Sequence, residues 1–217
     1  KHEIDYVLKQ SNMKALALLD RYQDSNYIDI IYELIPELRE CTRGHLNSEE
    51  YPALKSLIYI GQQKHRGMYN THELILLGQH CDDQRLRDIL PTLHCDEVVN
   101  MQYTSGTTGF PKGVMLTHKN IVNDGKSIGD CMEFTHNDRL LIHVPLFHCF
   151  GCVLGVMACI THATTIILQN YFRPKESLDN IIHEHCTAVH GVPTMFIALL
   201  EHPDFDQYDF SNLRSGI

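Results

Sequence analysis

The sequence lacks any excess of positive charge: its formal net charge is -9, and no stretch gathers Lys and Arg into a stripe. That excludes a general attraction to nucleic-acid backbones, so no nucleic-acid partner is expected. An anionic ligand would have to be gripped by a few local groups. Also lacking is a disulfide framework, because the eight cysteines follow no regular spacing. A chain of 217 residues is longer than the small secreted scaffolds that depend on bridges. Reduced thiols are expected, in a reducing compartment such as the cytoplasm or an organelle matrix. No signal-peptide pattern opens the sequence; Lys1-His2-Glu3 leads straight into an amphipathic repeat. From Leu140 to Phe172 there is no Lys, Arg, Asp or Glu. Pro145, Gly151, Gly155 and His143, His148 and His162 interrupt that run, whereas a span needs about 20 apolar residues in one helix. Strand, helix and strand, all buried, are expected there instead of a transmembrane segment. Repeats and low-complexity tracts are missing too.

What the sequence does have is an alternation of apolar runs and helical periods, in a length sufficient for one large or two small domains. Ile4, Val7 and Leu8 fall at helical spacing, and the Ala-Leu-Ala-Leu-Leu run from Ala15 reads as a buried strand. Ile28, Ile31, Leu34 and Ile35 predict a helix over 27–38 with Pro36 near its end, followed by loop to Glu50. Leu57–Ile60 predicts a strand, Thr71 a helix cap, and 82–90 a short helix. Val98–Tyr103 and Val114–Leu116 predict two further strands. Residues 118–134 read as helix, although Asn123-Asp124-Gly125 is a turn signal. Strands over 140–144, 164–168 and 187–190 alternate with helices over 147–160, after Pro174, and from Pro193 to Leu200. The expected fold class is α/β, layered and mostly parallel sheets flanked by helices, with a first portion over 1–97 and a second over 98–217.

Between two of those strands lies Tyr103-Thr104-Ser105-Gly106-Thr107-Thr108-Gly109-Phe110-Pro111-Lys112-Gly113. Its glycines free the backbone to turn N–H groups toward one point. The Ser and Thr hydroxyls add rotatable donors, and Lys112 adds a full charge. Such an array suits a polyphosphate. The P-loop order Gly, four residues, Gly-Lys-Ser/Thr is not met, which removes P-loop ATPases and similar kinases. Two metal-like patterns also fall short. Cys149-Phe150-Gly151-Cys152 has no second pair to complete a zinc site. In His183-Glu184-His185-Cys186 the histidines are too close in sequence to share a helix face, so solvated side chains are expected.

The stretch Tyr103–Val114, with Leu116-Thr117-His118 behind it, closely resembles the signature of the adenylate-forming (AMP-binding) superfamily of acyl-CoA synthetases, aryl-CoA ligases, luciferases and peptide-synthetase adenylation domains. The resemblance covers essentially the whole chain and implies part of the large N-terminal domain of that family. It implies that Thr104, Ser105, Gly106, Thr107, Thr108, Gly109 and Lys112 hold the ATP phosphates, with Thr104 touching Mg²⁺ and Lys112 catalytic. A second matching motif, Pro145-Leu146-Phe147-His148-Cys149-Phe150-Gly151, makes His148 the residue expected beside the acyl carboxylate, in a catalytic and substrate-binding role. A third, His190-Gly191-Val192-Pro193-Thr194-Met195-Phe196, implies that Gly191, Val192 and Met195, with Phe196, border the acyl pocket. Strand, turn and core helix is the equally open reading of that third motif.

The wording of these motifs looks most like medium- to long-chain fatty-acid-CoA ligases. The implied reaction takes a fatty or other carboxylic acid, ATP and coenzyme A, with Mg²⁺. Carrier-protein loading, a luciferase-like oxygenase and a non-catalytic nucleotide-binding relative are the alternatives. Lys1 begins inside a helical pattern and Ile217 ends as a strand starts. The family's later motifs and its small C-terminal domain with the catalytic lysine are not found. An excised fragment, inactive alone and needing the remainder of its own chain, is therefore expected.

Overall fold

Aliphatic runs bounded by Gly, Pro and Asn form parallel strands, and amphipathic stretches form the helices between them. The computed structural model describes residues 1–22, 24–104, 106 and 111–217. These divide into two compact units, Lys1–Thr92 and Leu93–Ile217, a few residues ahead of the division expected from sequence.

The first unit runs α1 (His2–Ser11), β1 (Ala15–Leu18), β2 (Arg21–Tyr22), β3 (Ser25–Asn26), α2 (Tyr27–Leu34), β4 (Ser56–Tyr59), β5 (Met68–Asn70), α3 (Thr71–Gly78) and α4 (Asp83–Ile89). Strands β1, β4 and β5 pair in that order, all parallel, and β2–β3 is a small antiparallel pair. Leu8, Ile31, Ile35, Leu38, Leu57 and Met68 lie at the centre of the core. Several local expectations need correction. The run from Ala15 is an edge strand, not a buried one, and among its residues only Leu18 is buried. Pro36 ends α2 early, because a residue before proline is pushed out of the helical region. Ile35 sits at φ -130°, and a 3-10 turn, Pro36–Arg39, follows. The cap of α3 is Asn70, not Thr71: Asn70 and Glu73 form a reciprocal capping box. Thr71 Oγ1 instead accepts the Gly61 N–H.

The second unit runs β6 (Val98–Thr104), β7 (Lys112–Thr117), α5 (His118–Cys131), β8 (Arg139–Ile142), the π-helix Phe150–Met157, α6 (Ala158–His162), β9 (Thr165–Leu168), α7 (Pro174–His183), β10 (Ala188–His190), α8 (Pro193–Leu200) and β11 (Ser215–Gly216). The sheet order is β11-β10-β8-β9, all parallel; β6–β7 is a separate antiparallel hairpin. Successive strand residues point to opposite faces, and β8 shows it directly. Leu140 and Ile142 pack with Met132, Phe134, Ala158 and Cys159 on one side, while Leu141 packs with Ile181, Cys186 and Val189 on the other. Each such fully buried leucine contributes roughly 1.5–3 kcal/mol of transfer free energy. Covered on both faces, this sheet accounts for the charge-free run from Leu140. Among the described residues no helix is long and apolar enough to cross a membrane.

The turn signal Asn123-Asp124-Gly125 does not interrupt α5, because Gly125 is there for packing. A Cβ at Gly125 would stand 2.6 Å from Met157 Cβ and 2.9 Å from the Met157 carbonyl carbon. At Gly129 it would strike the His162 ring at 2.2 Å. Gly125→Ala is therefore expected to destabilise by about 1–3 kcal/mol, overriding the advantage of roughly 1 kcal/mol that alanine has over glycine within a helix. Urea unfolding checks it, and a stabilised variant would show that α5 and the π-helix do not approach this closely.

Candidate functional site

The hairpin positions the ends of the Ser/Thr/Gly segment expected to bind phosphate. Thr104 is the last residue of β6 and Lys112 the first of β7, and the two are cross-strand partners. Partners in an antiparallel ladder lie about 4.5–5.5 Å apart at Cα. The segment between them thus leaves and returns at one place, with Thr104 and Lys112 exposed at its base. Gly106 is half-buried. Ser105, Thr107, Thr108 and Gly109, expected to hold phosphate, lie outside the described residues, as does Phe110. Thr117 caps α5 by a capping box with Asn120, fixing β7 to that helix.

The second motif departs from expectation at its start. The helix was expected from Phe147, but Phe147 is 84% exposed and lies in a turn closed by the His148 N–H donating to Pro145 O at 3.2 Å. His148 then acts as a cap. Its Nδ1 accepts the Phe150 N–H at 3.1 Å. In the neutral ring that bond places the proton on Nε2, leaving an exposed imidazole with a donor at its outer nitrogen. A π-helix follows, Phe150–Met157, a geometry that recurs at functional sites.

The third motif meets the second. His190, the last residue of β10, is fully buried, stacks on Phe150 at 5.5 Å between ring centroids, and donates from Nε2 to Leu154 O at 3.1 Å. Gly191 is buried, its N–H donating to Ile217 O at 2.8 Å. The place a Cβ would occupy there is bounded by the Phe196 ring at 3.2 Å and His143 Nε2 at 3.4 Å. Val192 is exposed at the start of α8. Met195 packs on the Leu140–Ile142 face, and Phe196 packs on the Leu141 face.

Sequence reasoning missed a buried polar chain beside this motif. His143 is 4% exposed. Its Nδ1 lies 3.2 Å from Ser177 Oγ. Ser177 donates to Gln169 Oε1 at 3.1 Å, Asn180 donates to the same oxygen, and Gln169 Nε2 donates to Tyr171 O at 2.7 Å. Among the described residues His143 Nε2 and His190 Nδ1 have no hydrogen-bond partner. Burial pushes the His143 imidazole down to about 4, and His190 is lowered for the same reason. The available signal was a histidine inside the apolar run Leu140–Val144. All eight cysteines are free, and His183 and His185 are exposed.

The AMP-binding enzyme family matches residues 1–217. The chain is 53% identical over 216 residues to the "Putative acyl-CoA synthetase YngI" of Bacillus subtilis (strain 168), covering 100% of this chain and 39% of that protein. It is 34% identical over 223 residues to the mitochondrial medium-chain acyl-CoA ligase ACSF2 of Homo sapiens, covering 99% of this chain and 36% of that one. Among solved structures, the N-terminal domain of FACL13 from Mycobacterium tuberculosis superposes with a TM-score of 0.68 at 20% identity, over 99% of this chain and 46% of that one, which shows the shared fold. The chain thus spans well under half the length of the curated relatives it matches. With its whole length matched, the chain belongs to the AMP-binding enzyme family.

Proposed function

We propose that this chain is the phosphate-loop portion of an AMP-forming acyl-CoA synthetase that activates a fatty carboxylic acid with ATP and passes the acyl group to coenzyme A. One observation carries the reading. Thr104 and Lys112 are fixed as cross-strand partners at the base of the Ser/Thr/Gly segment, in a chain 53% identical to a relative named as an acyl-CoA synthetase. A carboxylate is a poor acyl donor because oxide would have to leave. In the first step a carboxylate oxygen attacks the α-phosphorus of ATP and pyrophosphate departs. In the second, coenzyme A thiol attacks the acyl carbon and AMP departs with the bonding pair. The protein's task is position and charge.

Lys112 supplies a full positive charge to the β- and γ-phosphates, and the backbone from Thr104 to Gly109 supplies donors. His148 offers its Nε2–H to a carboxylate oxygen and so turns the other oxygen toward phosphorus. Mg²⁺ fits as a partner of ATP: the exposed Thr104 hydroxyl would be one hard oxygen to hold it, and the ion would neutralise phosphate charge. Gly191, Val192 and Met195 border the acyl chain in this reading. The free thiols support a reducing compartment, cytoplasm or organelle matrix. The isolated 217 residues are taken not to turn over.

The test is acid-dependent ATP–pyrophosphate exchange by the full-length parent, across a chain-length panel of acids. His148→Ala is expected to slow exchange about 10- to 100-fold, about 1.4–2.7 kcal/mol of transition-state stabilisation. Its melting temperature should fall only slightly, because the exposed ring's contacts among the described residues are the Phe150 N–H and the Cys149 thiol. Unchanged exchange removes His148 from the chemistry, and absence of exchange in the unaltered parent removes the synthetase reading.

A further inference from the structure

The first unit carries a cleft that the phosphate-loop chemistry does not use. It has a volume of about 560 Å³ and is lined by Arg43, Lys64, His65 and Arg66, with Thr42 and Tyr69. That size lies in the range of small-molecule sites. The cationic side chains come from two stretches far apart in sequence, residues 41–43 and 64–69, so the fold gathers them and no local charge run does. This happens in a chain whose net charge is -9.

The charges there are poorly compensated. Arg43 Nη1 is bonded to Glu73 Oε1 at 2.6 Å. That carboxylate is held below its ordinary range first by the Asn70 N–H and then by Arg43, with Lys64 adding to the effect. Lys64 itself is exposed and makes no hydrogen bond or ion pair among the described residues. Arg66 spends only its Nε, on Arg39 O, and keeps the rest of its fork free. Three full positive charges therefore share one carboxylate. His65 adds a further unsatisfied group, since its Nε2 has no partner among the described residues. The walls are fixed by the fold: Tyr69 OH donates to Arg43 O at 3.1 Å, and Tyr32 OH donates to Arg66 O at 2.9 Å.

We propose that this cleft is a binding site for a phosphate group, free or esterified, held by Lys64 and the Arg43 and Arg66 guanidiniums. Arginine forks and a lysine point charge together match a tetrahedral dianion. The chloride that fills any basic surface would gain only the screened Coulomb attraction. The site lies within the first unit and does not rest on the synthetase reading.

The experiment is calorimetric titration of the 217-residue chain at low ionic strength with inorganic phosphate, coenzyme A and pantetheine, which is the same thiol without phosphates. Phosphate and coenzyme A are expected to bind and pantetheine not to bind. A coenzyme A affinity at least tenfold above that of inorganic phosphate makes a nucleotide ester the occupant; equal affinities make it free phosphate. Lys64→Gln should weaken binding at least tenfold with a nearly unchanged melting temperature, because Lys64 makes no hydrogen bond or ion pair among the described residues. Arg43→Lys, which keeps the charge opposite Glu73, should weaken it less. Lys112→Ala separates the two phosphate sites and should leave inorganic phosphate binding in place. Absence of phosphate binding, or binding lost in Lys112→Ala and untouched in Lys64→Gln, overturns the proposal.

Discussion

Arg214→Ala is expected to destabilise the second unit by about 2–4 kcal/mol. Asp138 sits at the entry to β8 with its side chain 6% exposed. Its Oδ1 accepts from Arg214 Nε at 2.8 Å and from Thr187 Oγ1 at 2.7 Å. Its Oδ2 accepts from Arg214 Nη2 at 2.7 Å and from the Thr135 N–H at 2.9 Å. The same guanidinium donates to Met132 O at 3.2 Å and Glu133 O at 2.8 Å. One fork thus ties the approach to β11 to the loop that launches β8, and it holds the Asp138 carboxyl far below the usual carboxylate range. Removing the fork leaves a buried carboxylate with its threonine partners alone, and two carbonyls lose their donor. Arg214 is 40% exposed, so water can partly re-solvate the gap, and the expected loss stays under the limit for a fully buried pair. Arg214→Lys should fall between, because a point charge cannot serve both oxygens and both carbonyls. Urea unfolding followed by amide exchange in β8 and β10 reads the effect. A loss below about 0.5 kcal/mol would mean the pair behaves as a surface ion pair.

That clamp was not legible in the sequence, and the reason is physical. Asp138 and Arg214 are brought together by sheet order, and nothing in local periodicity reports a contact between strand entries so far apart. Period and punctuation did give much of the fold. Pro193 to Leu200 is α8 and Pro174 opens α7, because proline at a first helical turn is a local signal with a local cause. Val98–Tyr103 and Val114–Leu116 fall within β6 and β7, but their antiparallel pairing could not be told from a parallel one by composition. Asn123-Asp124-Gly125 misled because a glycine reads as a turn whether it serves backbone freedom or close helix approach. Strands β2, β3 and β5 are too short for a period to show. At the candidate site, Thr104 and Lys112 of the long motif fall at the facing ends of β6 and β7. The chain of bonds from His143 to Ser177 and from Ser177 to Gln169 joins three separate stretches, and no pattern announces it.

Acidification should weaken the second unit well before its carboxylates titrate. His143 is buried and its imidazole is pushed down to about 4 from an ordinary 6.5. Protonation would give it a second N–H on Nε2, which has no hydrogen-bond partner among the described residues, and the neighbouring ring contact is the edge of Phe172 at 5.0 Å. Its neighbour His190, lowered in the same direction, would acquire a proton on Nδ1, which has no partner among the described residues. Between pH 6.5 and 4 the unfolded state therefore binds more protons than the folded one, and stability falls as pH falls. For His143 alone the full loss is about 3 kcal/mol, reached near the lower end of that window. Asp138 acts in a separate window: its depressed carboxyl contributes stability above about pH 4 that is lost only below it. The measurement is the urea midpoint of the native chain and of His143→Leu at intervals from pH 7 to pH 4. His143→Leu should be less stable at neutral pH, where Ser177 loses a partner, and should show a shallower decline on acidification, so that the two curves converge. Parallel curves would mean that His143 titrates with an ordinary affinity for protons, and the buried, neutral imidazole at the end of β8 would have to be abandoned.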